Sequence, residues 1–255
     1  MKIGVCTGFE NLEKAAAFGF DYIEVGVGSV AGLSEEEFED LKKKLEGAPI
    51  GVEAANVMLP GSIRLTGDEA DHETMRRYLE GAYARLSAIG CRTVVFGSGG
   101  ARRIPDGFDR EKAMDQLYAA SVIIAETAAK YGVTIALEPL NRKECNVINS
   151  VSEGGELVEK VRDPAFRLLA DYYHIGMDGE DFGGMRRYGR YLRHTHIAHP
   201  TVRSVPARGD GGGYEEFFGV LKEVGYGERV SIEARVEDFD REMPAALLYL
   251  KELAK

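Results

Sequence analysis

Four side chains of the types that bind divalent metal ions stand at or near the ends of apolar, strand-like segments in the second half of the chain. They are Glu138, Asp171, His196 and Glu233. Three converging carboxylates repel one another, and a bound divalent cation removes that repulsion. Three oxygen ligands and one nitrogen, completed by water, suit Mn²⁺, Co²⁺ or Mg²⁺, whereas a structural Zn²⁺ site favours cysteine or more histidine. We predict one divalent metal ion here, Mn²⁺ before the alternatives Co²⁺, Mg²⁺ and Zn²⁺.

Each of these four residues also has a simpler explanation. Glu138 could form an ion pair with a neighbouring helix, and Glu233 could pair with Arg235. Asp171 could cap the turn that follows it, and His196 could be a core histidine. All four explanations would have to hold at once on four successive strands, so a shared metal site is favoured.

The segments that must position these residues alternate between short apolar runs and longer amphipathic ones. Eight strands are predicted at 2–6, 22–25, 50–55, 93–96, 133–138, 167–171, 192–197 and 229–233. Eight helices are predicted at 10–18, 34–46, 71–89, 109–131, 150–162, 178–188, 214–224 and 239–253. Strict alternation is typical of an α/β fold, the (β/α)8 TIM barrel, whose strand ends open onto one rim. No shift in composition divides the chain, so residues 1–255 are predicted to form a single domain.

The barrel prediction assigns different roles to neighbouring residues. His194 and His196 share one face of their strand because side chains alternate along a strand. His196 lies nearer the rim, so it is predicted as the ligand and His194 as a structural residue one layer deeper. Two connections, 56–67 and 198–213, are longer than usual and are predicted to form walls or lids of an active site.

Composition excludes several other classes of protein. The formal net charge of −10 disfavours binding to nucleic acid, so a small molecule is the expected partner. Three scattered cysteines indicate reduced thiols in a cytoplasmic protein. No apolar run is long enough to cross a membrane, and a predicted strand begins at Lys2, which leaves no room for a signal peptide.

Taken together, the motifs resemble the xylose-isomerase-like TIM-barrel superfamily, and within it the ketose 3-epimerase and hydroxypyruvate-isomerase-like group. The likeness covers most of the chain and is strongest over its second half. The matching stretches are Glu138-Pro-Leu-Asn-Arg-Lys-Glu144, Asp171-Tyr-Tyr-His174, His194-Thr-His196, Arg203-Ser-Val-Pro206 and Glu233.

This resemblance implies a metal-dependent isomerase or epimerase that transfers a proton on a sugar or sugar phosphate through an enediolate. By resemblance, Glu138 and Glu233 act as base and acid in turn while binding the metal, and Glu144, His174 and Arg203 bind the sugar. Members of the group are commonly dimers or tetramers, so a homodimer or homotetramer is expected.

Three alternatives remain open. A lyase that dehydrates inosose-type polyols would begin from the same enediolate, and a non-catalytic sugar sensor would keep the binding site without the chemistry. An abasic-site endonuclease would need about three metal ions, and the extra histidines for them are missing.

The glycine-rich stretch 97–103 carries two arginines and could hold a phosphate. We favour the structural explanation, in which its glycines permit a tight crossing of the barrel top.

Overall fold

Eight parallel strands close into a barrel in the computed structural model, which describes residues 1–255. The strands are β1 (Lys2–Cys6), β2 (Tyr22–Gly26), β3 (Val52–Asn56), β4 (Thr93–Phe96), β5 (Thr134–Leu137), β6 (Phe166–Asp171), β7 (Leu192–Ile197) and β8 (Arg229–Ile232). Each strand pairs with its neighbours in sequence, and β8 returns to pair with β1. The prediction of a single-domain (β/α)8 TIM barrel is confirmed.

Eleven α-helices and two 3₁₀ turns connect the strands. The α-helices are α1 (Leu12–Phe18), α2 (Gly28–Ala31), α3 (Glu35–Glu46), α4 (His72–Ala88), α5 (Gly99–Arg102), α6 (Arg110–Lys130), α7 (Val151–Val161), α8 (Tyr172–Asp178), α9 (Gly183–Tyr188), α10 (Tyr214–Glu223) and α11 (Phe239–Leu253). None of them combines the length and the hydropathy needed to cross a membrane.

One predicted helix, 178–188, is only partly correct, because 183–188 is helical but a separate helix begins earlier, at Tyr172. The chain turns helical directly after β6, because the Asp171 carboxylate accepts a hydrogen bond from the Tyr173 N–H at 2.8 Å and caps α8. Gly179, in the left-handed conformation at φ 63°, then ends α8, and a separate short helix, α9, follows. Asp171 therefore does act as a helix cap, as its simpler explanation proposed, but only through Oδ1.

The two faces of the barrel strands differ in chemistry. Ile23 and Val25 belong to the main apolar core, which packs between the strands and the helices. Glu24, between them, points the opposite way, into the barrel, because successive side chains of a strand alternate. The barrel interior also holds buried His194 and His196, where such barrels usually carry branched apolar residues. The apolar core outside the barrel must therefore supply most of the stability.

Glu180 generates a prediction about pH and stability. Its carboxylate accepts the Val151 N–H at the start of α7 at 2.9 Å, and burial, with repulsion from Asp181 and Glu153, raises its pKa to about 7. The unfolded chain titrates this group near ~4.3, so the folded protein holds an extra proton between the two values. Its contribution to stability is present below pH ~4.3 and is lost as pH rises through about 7.

We expect Glu180→Gln to abolish this loss. Between pH ~5 and ~8 the melting temperature of the wild type should fall by a few degrees more than that of the variant. Differential scanning calorimetry of both proteins measures the difference. Glu156→Gln, an exposed position on α7, is the matched control and should follow the wild type. Parallel pH profiles for the wild type and Glu180→Gln would contradict the assignment.

Candidate metal centre and active site

The four predicted metal ligands converge at the carboxyl end of the barrel. Asp171 ends β6 and His196 lies near the end of β7, while Glu138 and Glu233 directly follow the last residues of β5 and β8. One ligand atom from each side chain lies within 4.8 Å of the other three. Glu138, Asp171 and His196 are buried, and Glu233 is partly exposed toward the opening. The fold therefore brings together side chains that are up to 95 positions apart in sequence.

This donor set fits a divalent cation. Asp171 Oδ2 is buried without a hydrogen-bond partner, which leaves a full lone-pair acceptor aimed into the cluster. His196 Nδ1 lies 3.0 Å from Glu138 Oε1 and 3.6 Å from Glu233 Oε2. Three carboxylates and one imidazole nitrogen match the ligands that Mn²⁺ and related ions prefer.

Without an ion, the cluster reduces its own repulsion by binding protons. Burial, together with repulsion from Glu138 and Asp171, raises the pKa of Glu233 to about 8. Burial likewise raises the pKa of Asp171. Burial acts to lower the pKa of His196, but attraction to Glu24 and Glu233 outweighs it and raises that pKa well above its usual value. A metal ion that binds here must displace such protons.

Glu138 differs from the other two carboxyl groups. Burial acts to raise its pKa, but the hydrogen bond from His196 and the positive charge on that ring outweigh burial, and the pKa is lowered. Glu138 is therefore the most strongly ionised of the three carboxylates in the cluster.

A cavity of about 320 Å³ lies over the cluster and contains the three predicted substrate-binding residues. Glu144, His174 and Arg203 line it together with Glu138 and Glu233. Its opposite wall comes from the β3–α4 connection and from the turn after β4, through Asn56, Val57, Leu59, Gly61 and the 97–100 segment. The long 56–67 connection thus forms a wall of the cavity, as predicted.

Asn141 links the substrate-binding residues, and the sequence analysis missed it. Its Nδ2 lies 3.0 Å from Glu144 Oε1 and 2.8 Å from His174 Nδ1. Arg203 Nη1 donates to the same Glu144 oxygen at 3.3 Å, and its Nη2 donates to Glu233. Its guanidinium also packs 4.7 Å from the ring centre of Tyr173. The cavity side chains are therefore held in place by one another before any substrate binds.

Arg203 reaches the cavity from a strained position. Its backbone adopts φ 56°, a left-handed conformation that costs free energy for a residue with a side chain. Arg235 N–H holds this turn by donating to the Arg203 carbonyl at 2.7 Å. The alternative explanation of Glu233, an ion pair with Arg235, is wrong because Arg203 forms that ion pair instead.

The two arginines of the glycine-rich stretch after β4 donate hydrogen bonds to backbone carbonyls around the active site. The Arg102 side chain is fully buried and donates to the carbonyls of Phe96, at 3.1 Å, and Glu138, at 2.7 Å. Arg103 donates to the carbonyl of Glu144 at 3.1 Å. A Cβ at Gly97 would lie only 2.2 Å from Glu138 Oε2, so a glycine is needed for this close approach. The structure agrees with the tight-crossing explanation.

Glu24 is a second residue that the sequence analysis missed. Its carboxylate lies 2.9 Å from His196 Nε2 and 2.7 Å from His194 Nε2, below the metal cluster. Burial acts to raise the pKa of Glu24, but the two histidines outweigh it and hold that pKa well below its usual range. A charged residue inside the apolar run 22–25 was the available signal. His194 takes a structural position one layer deeper, in agreement with the prediction.

Comparison with known proteins identifies the family of this chain. The family model described as "Xylose isomerase-like TIM barrel" matches residues 12–253. D-psicose 3-epimerase of Agrobacterium fabrum is 26% identical over 205 residues, which are 78% of this chain and 69% of that protein. D-psicose 3-epimerase of Ruminiclostridium cellulolyticum is 26% identical over 229 residues, which are 87% of this chain and 76% of that protein.

A solved structure extends the likeness to the whole fold. The crystal structure of D-psicose 3-epimerase from Clostridium cellulolyticum with D-tagatose superposes with a TM-score of 0.89 over 100% of both chains, at 23% identity. The resemblance inferred from the sequence motifs is confirmed at the level of the family. The chain belongs to the xylose isomerase-like TIM barrel family.

Proposed function

We propose that this protein is a divalent-metal-dependent ketose 3-epimerase that works by proton transfer through an enediolate. One observation carries the proposal: Glu138 and Glu233 belong to the same cluster of metal-binding side chains and also line the same cavity. Relatives that match most of this chain are named as 3-epimerases of ketoses, which supports this reaction over the alternatives.

The reaction needs two proton-transferring groups and a way to stabilise negative charge. The C–H bond next to a sugar carbonyl is weakly acidic, so a base must remove its proton as charge develops on oxygen. A bound divalent ion, held by Glu138, Asp171, His196 and Glu233, supplies that stabilisation as a Lewis acid. We assign Glu138 and Glu233 to the proton transfers, one taking the proton from C3 and the other returning a proton to the opposite face. The two residues exchange roles in the reverse direction.

The remaining cavity residues orient the sugar. Glu144 presents carboxylate oxygens and Arg203 presents guanidinium N–H groups, which together suit a row of hydroxyl groups that both donate and accept. His174 adds a ring nitrogen that lies 3.5 Å from Asp171 Oδ2, so it lies between the sugar site and the metal cluster.

An unphosphorylated sugar is the substrate that the charges favour. Three glutamates line the cavity, and its one arginine is already paired with two of them. Arg102 and Arg103 donate to backbone carbonyls. A phosphate group in the cavity would therefore meet three carboxylates, and the one arginine that lines the cavity is already ion-paired.

Further properties complete the proposal. Mn²⁺ is the proposed ion because the donors are mainly carboxylates, with Co²⁺, Mg²⁺ and Zn²⁺ as alternatives. The cytoplasm is the proposed location because Cys6, Cys91 and Cys145 are all free thiols. The net charge of −10 argues against a nucleic-acid partner. A homodimer or homotetramer stays a prediction.

Two alternative reactions have less support. An abasic-site endonuclease needs further metal ligands, but the third strand ends in Asn56 and the fourth leads into Gly97-Ser98. A polyol lyase would use the same metal cluster, but the relatives' names do not favour it.

We expect Glu138→Gln to abolish epimerisation without unfolding the protein. Removal of a positioned acid–base group costs about 10²- to 10⁴-fold in rate, while glutamine keeps the size of the side chain. The assay incubates D-psicose, D-fructose, D-tagatose and L-ribulose with Mn²⁺ in D₂O and follows deuterium at C3 by NMR. Glu156→Gln, exposed on α7, is the matched control. Near-full activity of Glu138→Gln would remove Glu138 from the mechanism.

The same spectra separate the reactions. Deuterium at C3 with inverted configuration identifies an epimerase. Formation of an aldose would identify an isomerase, and loss of a hydroxyl group would identify a lyase.

Metal removal should remove activity and lower thermal stability together. An ion present at about 100 times its Kd stabilises a folded protein by ~2.7 kcal/mol, equivalent to several degrees in Tm for a chain of this size. We expect EDTA-treated protein to be inactive and Mn²⁺ to restore both activity and Tm more effectively than Co²⁺, Mg²⁺ or Zn²⁺. Asp171→Asn should lose most of the Tm increase. Full activity after chelation would contradict metal dependence.

A phosphate group on the substrate should reduce activity. We expect kcat/KM for D-fructose 6-phosphate to be at least ~10-fold below that for D-fructose, a difference of ~1.4 kcal/mol. Steady-state assays of both ketoses measure the ratio. A preference for the phosphate ester would show that the cavity recruits a cation that is paired in this structure.

A further inference from the structure

The barrel interior contains a buried acid–histidine network directly beneath the metal cluster. Glu24 is completely buried in the middle of β2. Its carboxylate contacts His194 and His196, and Ser231 Oγ donates to Glu24 Oε2 at 2.6 Å. Tyr22 OH lies 2.8 Å from Ser231 Oγ and adds a second hydroxyl group to the network. The hydrogen-bond partners of this carboxylate are thus two histidines and a hydroxyl group, and the Cys6 thiol also lies within 4.8 Å of it.

Burying such a network costs free energy of folding, so a purely structural purpose does not explain it well. A buried carboxylate loses its hydration, and well-packed apolar residues often stabilise such a position equally well or better. Residues of the latter kind fill another part of the barrel interior, where Val95 on β4, Ala136 on β5 and Leu169 on β6 form a small apolar cluster. The polar network is thus a local departure from apolar packing, and it occurs below the one histidine of the metal cluster.

The two ring nitrogens of His196 face different partners. Nε2 lies 2.9 Å from Glu24 Oε1, whereas Nδ1 faces Glu138 and Glu233 at 3.0 and 3.6 Å. An ionised carboxylate only accepts hydrogen bonds, so the proton on this side of the ring must lie on Nε2. The lone pair of the neutral ring is then on Nδ1, the atom that faces Glu138 and Glu233.

We propose that Glu24 is a positioning residue that fixes His196 in the tautomer and ring orientation needed to bind the divalent ion through Nδ1. The proposal rests on the proposed metal-dependent function, and it adds a residue that acts through His196 without touching the substrate. His194 and Ser231 in turn hold the second Glu24 oxygen, so the carboxylate cannot rotate away from His196 without losing both contacts.

Metal affinity tests this role separately from epimerase activity. Loss of a group that hydrogen-bonds to a metal-binding histidine typically costs about 10- to 100-fold in affinity. Glu24→Leu keeps a comparable volume but removes the acceptor, and Glu24→Gln keeps one oxygen that can still accept from His196. We expect the Mn²⁺ affinity measured by isothermal titration calorimetry to fall in the order wild type, Glu24→Gln, Glu24→Leu.

The matched control is Glu53→Gln, which makes the same change at another carboxylate on the inner side of the barrel. The Glu53 carboxylate accepts a hydrogen bond from Arg229 at 2.7 Å and forms an ion pair with Lys2. Its partners are therefore cationic side chains and include neither His194 nor His196. We expect Glu53→Gln to lower thermal stability and leave Mn²⁺ affinity unchanged. If the role of Glu24 were purely structural, Glu24→Leu would likewise lower thermal stability and leave Mn²⁺ affinity unchanged. Equal Mn²⁺ affinity in Glu24→Leu and wild type would therefore overturn the proposal.

A spectroscopic measurement on the unmodified protein remains decisive if the leucine variant fails to fold. In protein labelled with ¹⁵N-histidine and loaded with ¹¹³Cd²⁺, we expect cadmium coupling to His196 Nδ1 and a proton on Nε2. Coupling to Nε2, or a proton on Nδ1, would overturn the proposal. Neither result depends on turnover, so an absence of epimerase activity would refute the proposed function while the role of Glu24 is still decided.

Discussion

Repulsion among three carboxylates that are forced together at one rim is the constraint on which the rest of the structure depends. The barrel fixes the ends of β5, β6 and β8 around a common axis, so the backbones that carry Glu138, Asp171 and Glu233 cannot move apart without breaking strand pairing. His196 inside the cluster and Arg203 above it partly neutralise the negative charge of these carboxylates. The unpartnered Oδ2 of Asp171 indicates that these two cations leave the cluster incompletely neutralised.

The organisation of the core follows from that constraint. A cluster of 67 buried apolar residues packs the helices against the outer faces of the strands. The inside of the barrel, by contrast, holds Glu24, His194 and Ser231 as a polar support for His196. Stability and function are therefore divided between the two faces of one sheet. This division allows the interior to carry charged groups that would be costly in the main core.

Much of the fold and of the candidate site could be predicted from the sequence, for clear physical reasons. Strands that alternate with amphipathic helices permit few architectures, and in a barrel their carboxyl ends must meet. Glu138, Asp171, His196 and Glu233 could be recognised because each stands where an apolar run ends. Their convergence then followed from topology alone.

What the sequence did not reveal depends on contacts between distant segments. Asn141 resembles an ordinary loop residue until its amide is seen between Glu144 and His174. Glu24 lies 170 positions from His194, and nothing local indicates that pairing. The helix after Asp171 was missed because its start depends on one capping hydrogen bond to Tyr173 and not on hydrophobic periodicity.

Anomalous X-ray scattering from crystals grown with Mn²⁺ is the most direct test of the central claim that four side chains bind one ion. We expect a single strong peak per chain, within ~2.0–2.6 Å of Glu138, Asp171, Glu233 and the Nδ1 atom of His196. No peak at this position, or a peak held by other residues while these four remain paired with Arg203 and protons, would contradict it.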